Sequence, residues 1–212
     1  MFGTPYLYRT LPVGITNTKK WLMDIADFFG LKERALYLLA QEEKDLREAL
    51  EPFKKELAGK TVYLTGGSIR TLATAQFLKE ELNMKIIGIK GYHYDHFADE
   101  LIEELEGDTE LNYSVATAQE FEQSNLLNKL KPDIYIGHVE LNGWAARHGI
   151  PTFPIFLLSS AYLGYRGAYE FARKLVRVSR NAAFNKNLAA YTKLPYKEEW
   201  LQEDPFKYII EK

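Results

Sequence analysis

The 212-residue sequence predicts an α/β protein in which about five parallel strands are flanked by helices, with a helical pair before the sheet and a helical tail after it. Two observations carry that prediction. From Gly59 onward, short apolar runs alternate with amphipathic stretches. That pattern builds strand–helix–strand units, whose right-handed crossovers leave neighbouring strands parallel. The run Met84 to Ile89, with Ile86, Ile87 and Ile89, is near-continuously apolar, as a strand covered on both faces must be.

Before Gly59 the chain reads as helical. Phe2-Gly3-Thr4-Pro5 and Leu11-Pro12-Val13-Gly14 are turn-rich and hold no helix. Thr16 or Asn17 is the expected cap of a first helix, in which Trp21, Leu22, Ile25, Phe28 and Phe29 recur at helical spacing until Gly30. A second helix follows from about Lys32 to Leu57, with Leu36, Leu39, Leu46, Leu50 and Phe53 on one stripe. Pro52 predicts a kink or break just before it.

The alternating part starts with Thr61-Val62-Tyr63-Leu64, a buried strand closed by Gly66-Gly67. A helix is expected over Thr71 to Leu82, a strand over Met84 to Ile89 and a helix over Phe97 to Leu105. Leu111 to Val115 reads as the third strand. Thr117 to Leu130 is a helix opened by Thr117 with Glu120 at capping-box spacing, and Pro132 ends it. Asp133 to Gly137 is the fourth strand, Asn142 to His148 a short helix, and Thr152 to Phe156 the fifth strand. A long helix over Gly167 to Asn181 and a proline-broken tail over Leu188 to Lys212 complete the chain. The expected organisation is an N-terminal lead-in with helices over 1–58, an α/β domain over 59–181 and a tail over 182–212 that packs on it.

Composition excludes several classes of function. Twenty-seven basic against 29 acidic residues leave a net charge of -2, with none of the positive footprint that nucleic acid demands. The absence of cysteine excludes disulfides, thiolate nucleophiles, cysteine-held zinc and an iron–sulfur cluster ligated by this chain alone. No apolar run of about 18 residues exists to cross a membrane. Met1-Phe2-Gly3-Thr4-Pro5 has neither a charged n-region nor an apolar h-region, so a soluble cytoplasmic protein is expected. Fourteen Tyr, 12 Phe and 3 Trp suggest a heavy core or sizeable buried contacts.

In a parallel sheet, ligands sit beyond the carboxyl ends of the strands, which directs attention to four loops. Gly66, Gly67 and Ser68 feed a helix whose free N–H groups and positive dipole end suit an anion, and Arg70 adds a charge. The alternative is a tight turn and nothing more. A dinucleotide reading is disfavoured, because no GxGxxG is present and Lys90-Gly91 stands where a ribose-binding acid belongs. His93 and His96, flanking Asp95, have metal-ligand composition, but three groups so close in sequence seldom converge on one ion, and hydrogen bonding at a cleft rim is the expected role. His138 and Glu140, at the end of the fourth strand, pair an imidazole with a carboxylate suited to proton transfer, or to a backbone bond. Ser159 and Ser160 lie in the last loop, without the Gly-x-Ser-x-Gly elbow of a serine hydrolase.

Several segments in order resemble the C-terminal part of a nitrogenase component 1 type subunit, a family of molybdenum–iron protein chains, cofactor-assembly scaffolds and dark-operative protochlorophyllide reductase subunits. They are Phe2-Gly3-Thr4-Pro5, Leu11-Pro12-Val13-Gly14-Ile15 with Thr18, and Thr61 to Gly67. Glu120-Phe121-Glu122 through Lys131-Pro132-Asp133 to Gly137 follows, then Gly149-Ile150-Pro151, Tyr162-Leu163-Gly164-Tyr165-Arg166-Gly167 and Phe171-Ala172. The resemblance implies a Rossmann-like, nitrogenase-type sheet and a place in a reducing complex. It implies an iron–sulfur or molybdenum–iron type cluster held by the complete complex, and none held tightly by this chain alone. The partners it implies are other domains or a homologous partner subunit, with a reductase component. It departs from the family in lacking the cluster cysteines and a histidine between Thr152 and Ala161, where the catalytic chain carries a ligand. The chain therefore reads as one wall of a cofactor cleft and part of a subunit interface, lined by Gly66, Gly67, Ser68, Arg70, His93, His96, His138 and Glu140. Two competing expectations are a stand-alone module binding an anionic ligand or a metallocluster in transit, and a nucleotide-sugar transferase domain.

Overall fold

The computed structural model describes residues 3, 7, 10–106, 112–116, 119–157 and 162–204, apart from the Glu140 side chain. Phe2, Thr4 and Pro5, the Leu111 strand start, the Thr117 cap, Ser159, Ser160 and the tail beyond Asp204 lie outside the described residues.

Five parallel strands form one sheet: β1 Thr61–Gly66, β2 Lys85–Gly91, β3 Tyr113–Val115, β4 Ile134–Gly137 and β5 Thr152–Pro154. Their order is β3-β2-β1-β4-β5. The helices are α1 Gly14–Phe28, α2 Lys32–Leu57, α3 Ser68–Gln76, α4 Asp99–Glu106, α5 Glu120–Leu130, α6 Val139–Arg147, α7 Gly164–Arg180, α8 Ala182–Ala190 and α9 Glu198–Gln202. A π-helical turn, Phe77–Glu81, extends α3, and a 3₁₀ turn, His96–Ala98, precedes α4. The parallel sheet flanked by helices is the architecture the alternating pattern predicts.

Each face of the sheet carries its own core. Val62, Leu64, Ile89, Ile134 and Ile136 pack against Leu72, Phe77, Phe171 and Leu175, and α1 and α2 add Ile15, Leu46, Leu50 and Leu57 to that core. On the other face Tyr63 and Tyr135 pack with Leu127, Leu141, Ala145 and Ile150 beneath α5 and α6.

Two expectations about the N-terminal helices are corrected. α1 begins at Gly14, not after a cap at Thr16 or Asn17, and its Ncap residue, Val13, makes no side-chain bond to it. The cap comes from the π turn instead. The buried Glu81 carboxylate accepts from the Ile15 N–H at 2.8 Å through both oxygens and from the Thr16 N–H at 2.9 Å. Those are two of the N–H donors that a helix start leaves without partners. Asn17 is instead a buried side chain whose Nδ2 donates to Gln76 Oε1 at 2.9 Å. Gly14 sits at φ +82, and a Cβ there would lie 2.8 Å from Phe77 Cδ2, so both backbone and space call for glycine. The second correction concerns the break expected before Pro52: α2 runs through that residue without interruption from Lys32 to Leu57. Pro52 occupies the exposed face beside exposed Glu48, whose freed carbonyl can be hydrated, while Leu46, Leu50 and Leu57 hold the helix from the buried side.

Helix starts elsewhere move earlier than the sequence predicts: α3 to Ser68, α6 to Val139 and α7 to Gly164. The region after Asn181 carries helices α8 and α9. No described helix is long and apolar enough to cross a membrane.

Candidate functional site

The strand order reverses between β1 and β4, and the crevice beyond their carboxyl ends is the place where sheets of this type take ligands. β1 ends at Gly66, Gly67 is the Ncap residue of α3, and the first N–H groups of α3 therefore open toward this edge. Ser68 is 1% exposed and acts as a strut. Its hydroxyl donates to the His93 carbonyl and accepts from the Tyr113 hydroxyl at 3.1 Å, tying together the ends of β1, β2 and β3.

Arg70, in the first turn of α3, is half-buried with its guanidinium 4.7 Å from the centre of the Phe156 ring. Burial lowers its pKa, and among the described residues no carboxylate pairs with it. His93 is exposed, its Cε1 4.0 Å from where a Cβ on Gly67 would stand. Gly66, Gly67, Ser68, Arg70 and His93 are thus brought to one edge. His138 is the exposed Ncap residue of α6 on the loop after β4, and Glu140 follows in that helix, its side chain outside the described set.

His96 is turned onto its neighbour, its ring 3.7 Å from that of Phe97. Asp95 spends an oxygen on the Phe97 N–H at 3.1 Å, and Tyr94 donates to Asp99 at 2.8 Å. The cluster is consumed locally. Among the described residues no group of three or more histidine or acidic side chains could hold a metal ion. The fourth histidine, His148, bonds Ser124 at 2.6 Å and staples α5 to the end of α6.

Sequence reasoning missed Lys90 as a site residue. It is 3% exposed at the end of β2, in register with Thr65 and Ser114. Burial lowers its pKa and the more distant Glu122 charge partly offsets this. Among the described residues it has no carboxylate within ion-pair distance. The available signal was a lysine closing an apolar strand run, Ile86-Ile87-Gly88-Ile89. Nearby, Thr65 Oγ1 bonds the Tyr135 hydroxyl at 2.6 Å and lies 3.4 Å from the Tyr92 hydroxyl, while Gln123 Nε2 donates to Tyr135. Burial pushes Tyr63 up to about 12 and Tyr135 higher still, so both phenols keep their protons at neutral pH. Gln123 Oε1 is buried without a partner among the described residues.

A family model described as nitrogenase component 1 type oxidoreductase matches residues 1–179. The chain belongs to that family. Among relatives in it, the nitrogenase molybdenum-iron protein alpha chain of Methanothermobacter marburgensis is 23% identical over 87% of this chain and 39% of its own length. The light-independent protochlorophyllide reductase subunit N of Rhodopseudomonas palustris is 29% identical over 85% of this chain and 43% of its own. The nitrogenase iron-molybdenum cofactor biosynthesis protein NifE of Methanococcus maripaludis is 31% identical over 76% of this chain and 34% of its own. A solved structure titled "Nitrogenase Cp1 at pH 5" superposes with a TM-score of 0.67 at 18% identity, over 89% of this chain and 43% of the other, which shows a shared fold. This component 1 type chain thus spans about two fifths of the relatives it matches.

The donor set of this component 1 type chain does not fit ligation of a metal cluster. It has no thiolate in 212 residues, and the described histidines and carboxylates do not converge. The edge offers cations and N–H groups, the means of contacting an anion from one side.

Proposed function

We propose that this chain acts as the C-terminal domain of a nitrogenase-like, component 1 type oxidoreductase subunit. The carboxyl edge of its sheet forms one wall of a cofactor cleft, and other surfaces meet further domains or a homologous partner subunit. Multi-electron reduction is the chemistry that an iron–sulfur or molybdenum–iron type cluster supplies in the complete complex, with electrons from a reductase component. The chain alone is not catalytic. One observation carries the reading: Arg70 and Lys90 stand at the same strand edge as the α3 N-terminus, without carboxylate partners among the described residues. Two desolvated cations held this way cost stability unless an anion meets them. Gly66 and Gly67 let that anion approach the backbone, and His93 and His138 stand along the rim as hydrogen-bonding groups, while His96 is turned away onto Phe97.

The test is a titration of the protein with citrate and with phosphate, followed by histidine ring NMR signals. The rings of His93 and His138 are expected to shift with saturation. If His93, His96 and His138 all stay unmoved while other surface signals shift, the site assignment falls. The Lys90→Met variant is expected to bind the same anions about tenfold more weakly. It should also unfold at higher denaturant, by about 1 kcal/mol, because a buried unpaired charge is replaced by an apolar chain of similar length.

The 31% identity to a cofactor biosynthesis protein favours a second reading, a module that takes an anionic ligand or metallocluster in transit during assembly. That reading expects the isolated chain to melt at higher temperature when an iron–sulfur or molybdenum-type cluster is added, since a ligand held only by the folded state stabilises it.

A further inference from the structure

Basic charge is not spread evenly over this chain. Its net charge is -2, yet residues 164–197 hold eight basic side chains and a single acidic one, Glu170. On α7 the segregation is sharper still. Arg166, Arg173, Arg177 and Arg180 recur at spacings that place them in one row along the helix, and all four are exposed. The opposite side of α7, with Phe171, Ala172 and Leu175, is buried in the core, so the row is its outer face. At 1.5 Å of rise per residue the row is about 21 Å long. Asn181 alone separates α7 from α8, a helix with no buried residue. Phe184, Leu188 and Tyr191 follow one another there at i, i+4 and i+7 and are 61%, 39% and 92% exposed. Three large apolar side chains on one side of a helix form a stripe, not scattered exposure.

The carboxylates within reach leave the row basic. Glu170 pairs with Arg173 at 2.7 Å, and Glu56 of α2 pairs with Arg180. Glu42 and Glu43 lie near the Tyr165 hydroxyl at the start of α7, where Glu43 is already paired with Lys19 at 3.0 Å. Arg166 and Arg177 have no carboxylate at ion-pair distance among the described residues. Lys174 and Lys60 add charge beside the row, the first 5.0 Å from the centre of the Tyr162 ring and the second donating to Ser179 at 2.8 Å. Guanidinium groups in a line match carboxylates in a line. A bilayer or a duplex fits less well, because its phosphates would also face Glu170 and Glu56. α8 itself carries one charge, Lys186, too few for a helix held on anionic lipid. Arginine beside phenylalanine and tyrosine is the composition of protein–protein contacts.

We propose that the α7–α8 face docks an acidic amphipathic helix of another protein chain. Its carboxylates meet the arginine row, Arg166 and Arg177 first, and its apolar residues cover Phe184, Leu188 and Tyr191. The inference does not depend on an anion binding at the sheet edge.

Fluorescence anisotropy of the full chain with a labelled peptide of three Leu-Glu-Glu-Leu-Ala-Lys-Glu repeats, a helix about 30 Å long, tests it. The control peptide exchanges every Glu for Lys and every Lys for Glu. Saturable binding of the acidic peptide at about 10 µM is expected in low salt, weakening severalfold as salt is raised. The exchanged peptide should bind at least about tenfold more weakly. Arg166→Glu combined with Arg177→Glu should weaken binding of the acidic peptide by about tenfold or more, and Phe184→Ser by about tenfold. Both variants should keep the wild-type melting point, because these side chains are exposed. Phosphatidylserine vesicles and a DNA duplex are titrated alongside. The proposal is overturned by no binding of the acidic peptide up to about 1 mM, or by equal binding of the exchanged one. Binding indifferent to both sets of substitutions overturns it too, as does tighter binding to the vesicles or the duplex.

Discussion

Replacing Glu81 with alanine is expected to destabilise the protein by about 3 kcal/mol and to lower its Tm by about 6–12 °C. Glu81 is 8% exposed, and its carboxylate is the acceptor for the Ile15 and Thr16 N–H groups. Alanine leaves those donors without a partner at a helix start that has no local cap, and removes a negative charge from the positive end of α1. Glu81→Gln separates hydrogen bonding from charge, because one amide oxygen can accept from both N–H groups. Burial raises the Glu81 pKa above its ordinary 4.5, against the pull of the Thr16 and Ile15 donors and the Arg47 cation. Glu51, Lys54 and Glu80 line the same recess. A carboxyl group with a raised folded pKa contributes stability that is fully present below about pH 4.5 and is lost as pH rises through the folded value. The advantage of wild type over Glu81→Gln should therefore shrink from pH 4.5 to pH 7, while Glu81→Ala stays the weakest at each pH. Urea unfolding of the three proteins at three pH values decides it. A difference between wild type and Glu81→Gln that grows with pH would show that the N–H donors, not burial, dominate this carboxylate.

Gly137→Ala is expected to cost about 3 kcal/mol or more. A Cβ at position 137 would lie 2.5 Å from Tyr135 Cε1 and 2.6 Å from Thr65 Oγ1. Neither neighbour can yield cheaply. Tyr135 and Thr65 are fully buried, the Tyr135 ring stacks on that of Tyr63 at 6.3 Å, and its hydroxyl is held by Thr65 and Gln123. Moving the ring breaks a buried polar network, which costs more than the contact itself. Gly67→Ala is the control. Nothing stands nearer to its new methyl than His93 Cε1 at 4.0 Å, and φ is -61, so the change in stability should stay within about 0.5 kcal/mol. Thermal melts of the two variants make the comparison. Equal losses at both positions would mean that the crowding at Gly137 does not govern this edge.

These two sites also mark where the sequence was legible and where it was not. The Thr61–Gly66 strand and the glycine turn after it were readable, because an apolar run closed by glycines is a local pattern. The start of α1 was not, because its cap lies 66 residues away at Glu81. Thr16 and Asn17 supplied a local capping signal, and a distant carboxylate overrode it. Arg70 could be placed beside the turn from spacing alone. Lys90 could not, because an isolated lysine is read as solvated, and only the assembled sheet buries it. The histidines near Asp95 invite a metal reading by composition, but Asp95 bonds the backbone and His96 stacks on Phe97.

What the sequence by itself determined is the fold class, the number and parallel sense of the strands, and a chemistry without thiolates. Each of these follows from local periodicity or from composition, which do not depend on distant contacts. Only the tertiary structure decided the order β3-β2-β1-β4-β5, the crevice between β1 and β4, the shared network of Thr65, Tyr135 and Gln123, and the burial of Glu81 and Lys90. The reason is physical. Strand order and desolvation are set by residues far apart in the chain meeting in a medium of low dielectric, where one carboxylate or one methyl group outweighs the local propensities of a whole turn.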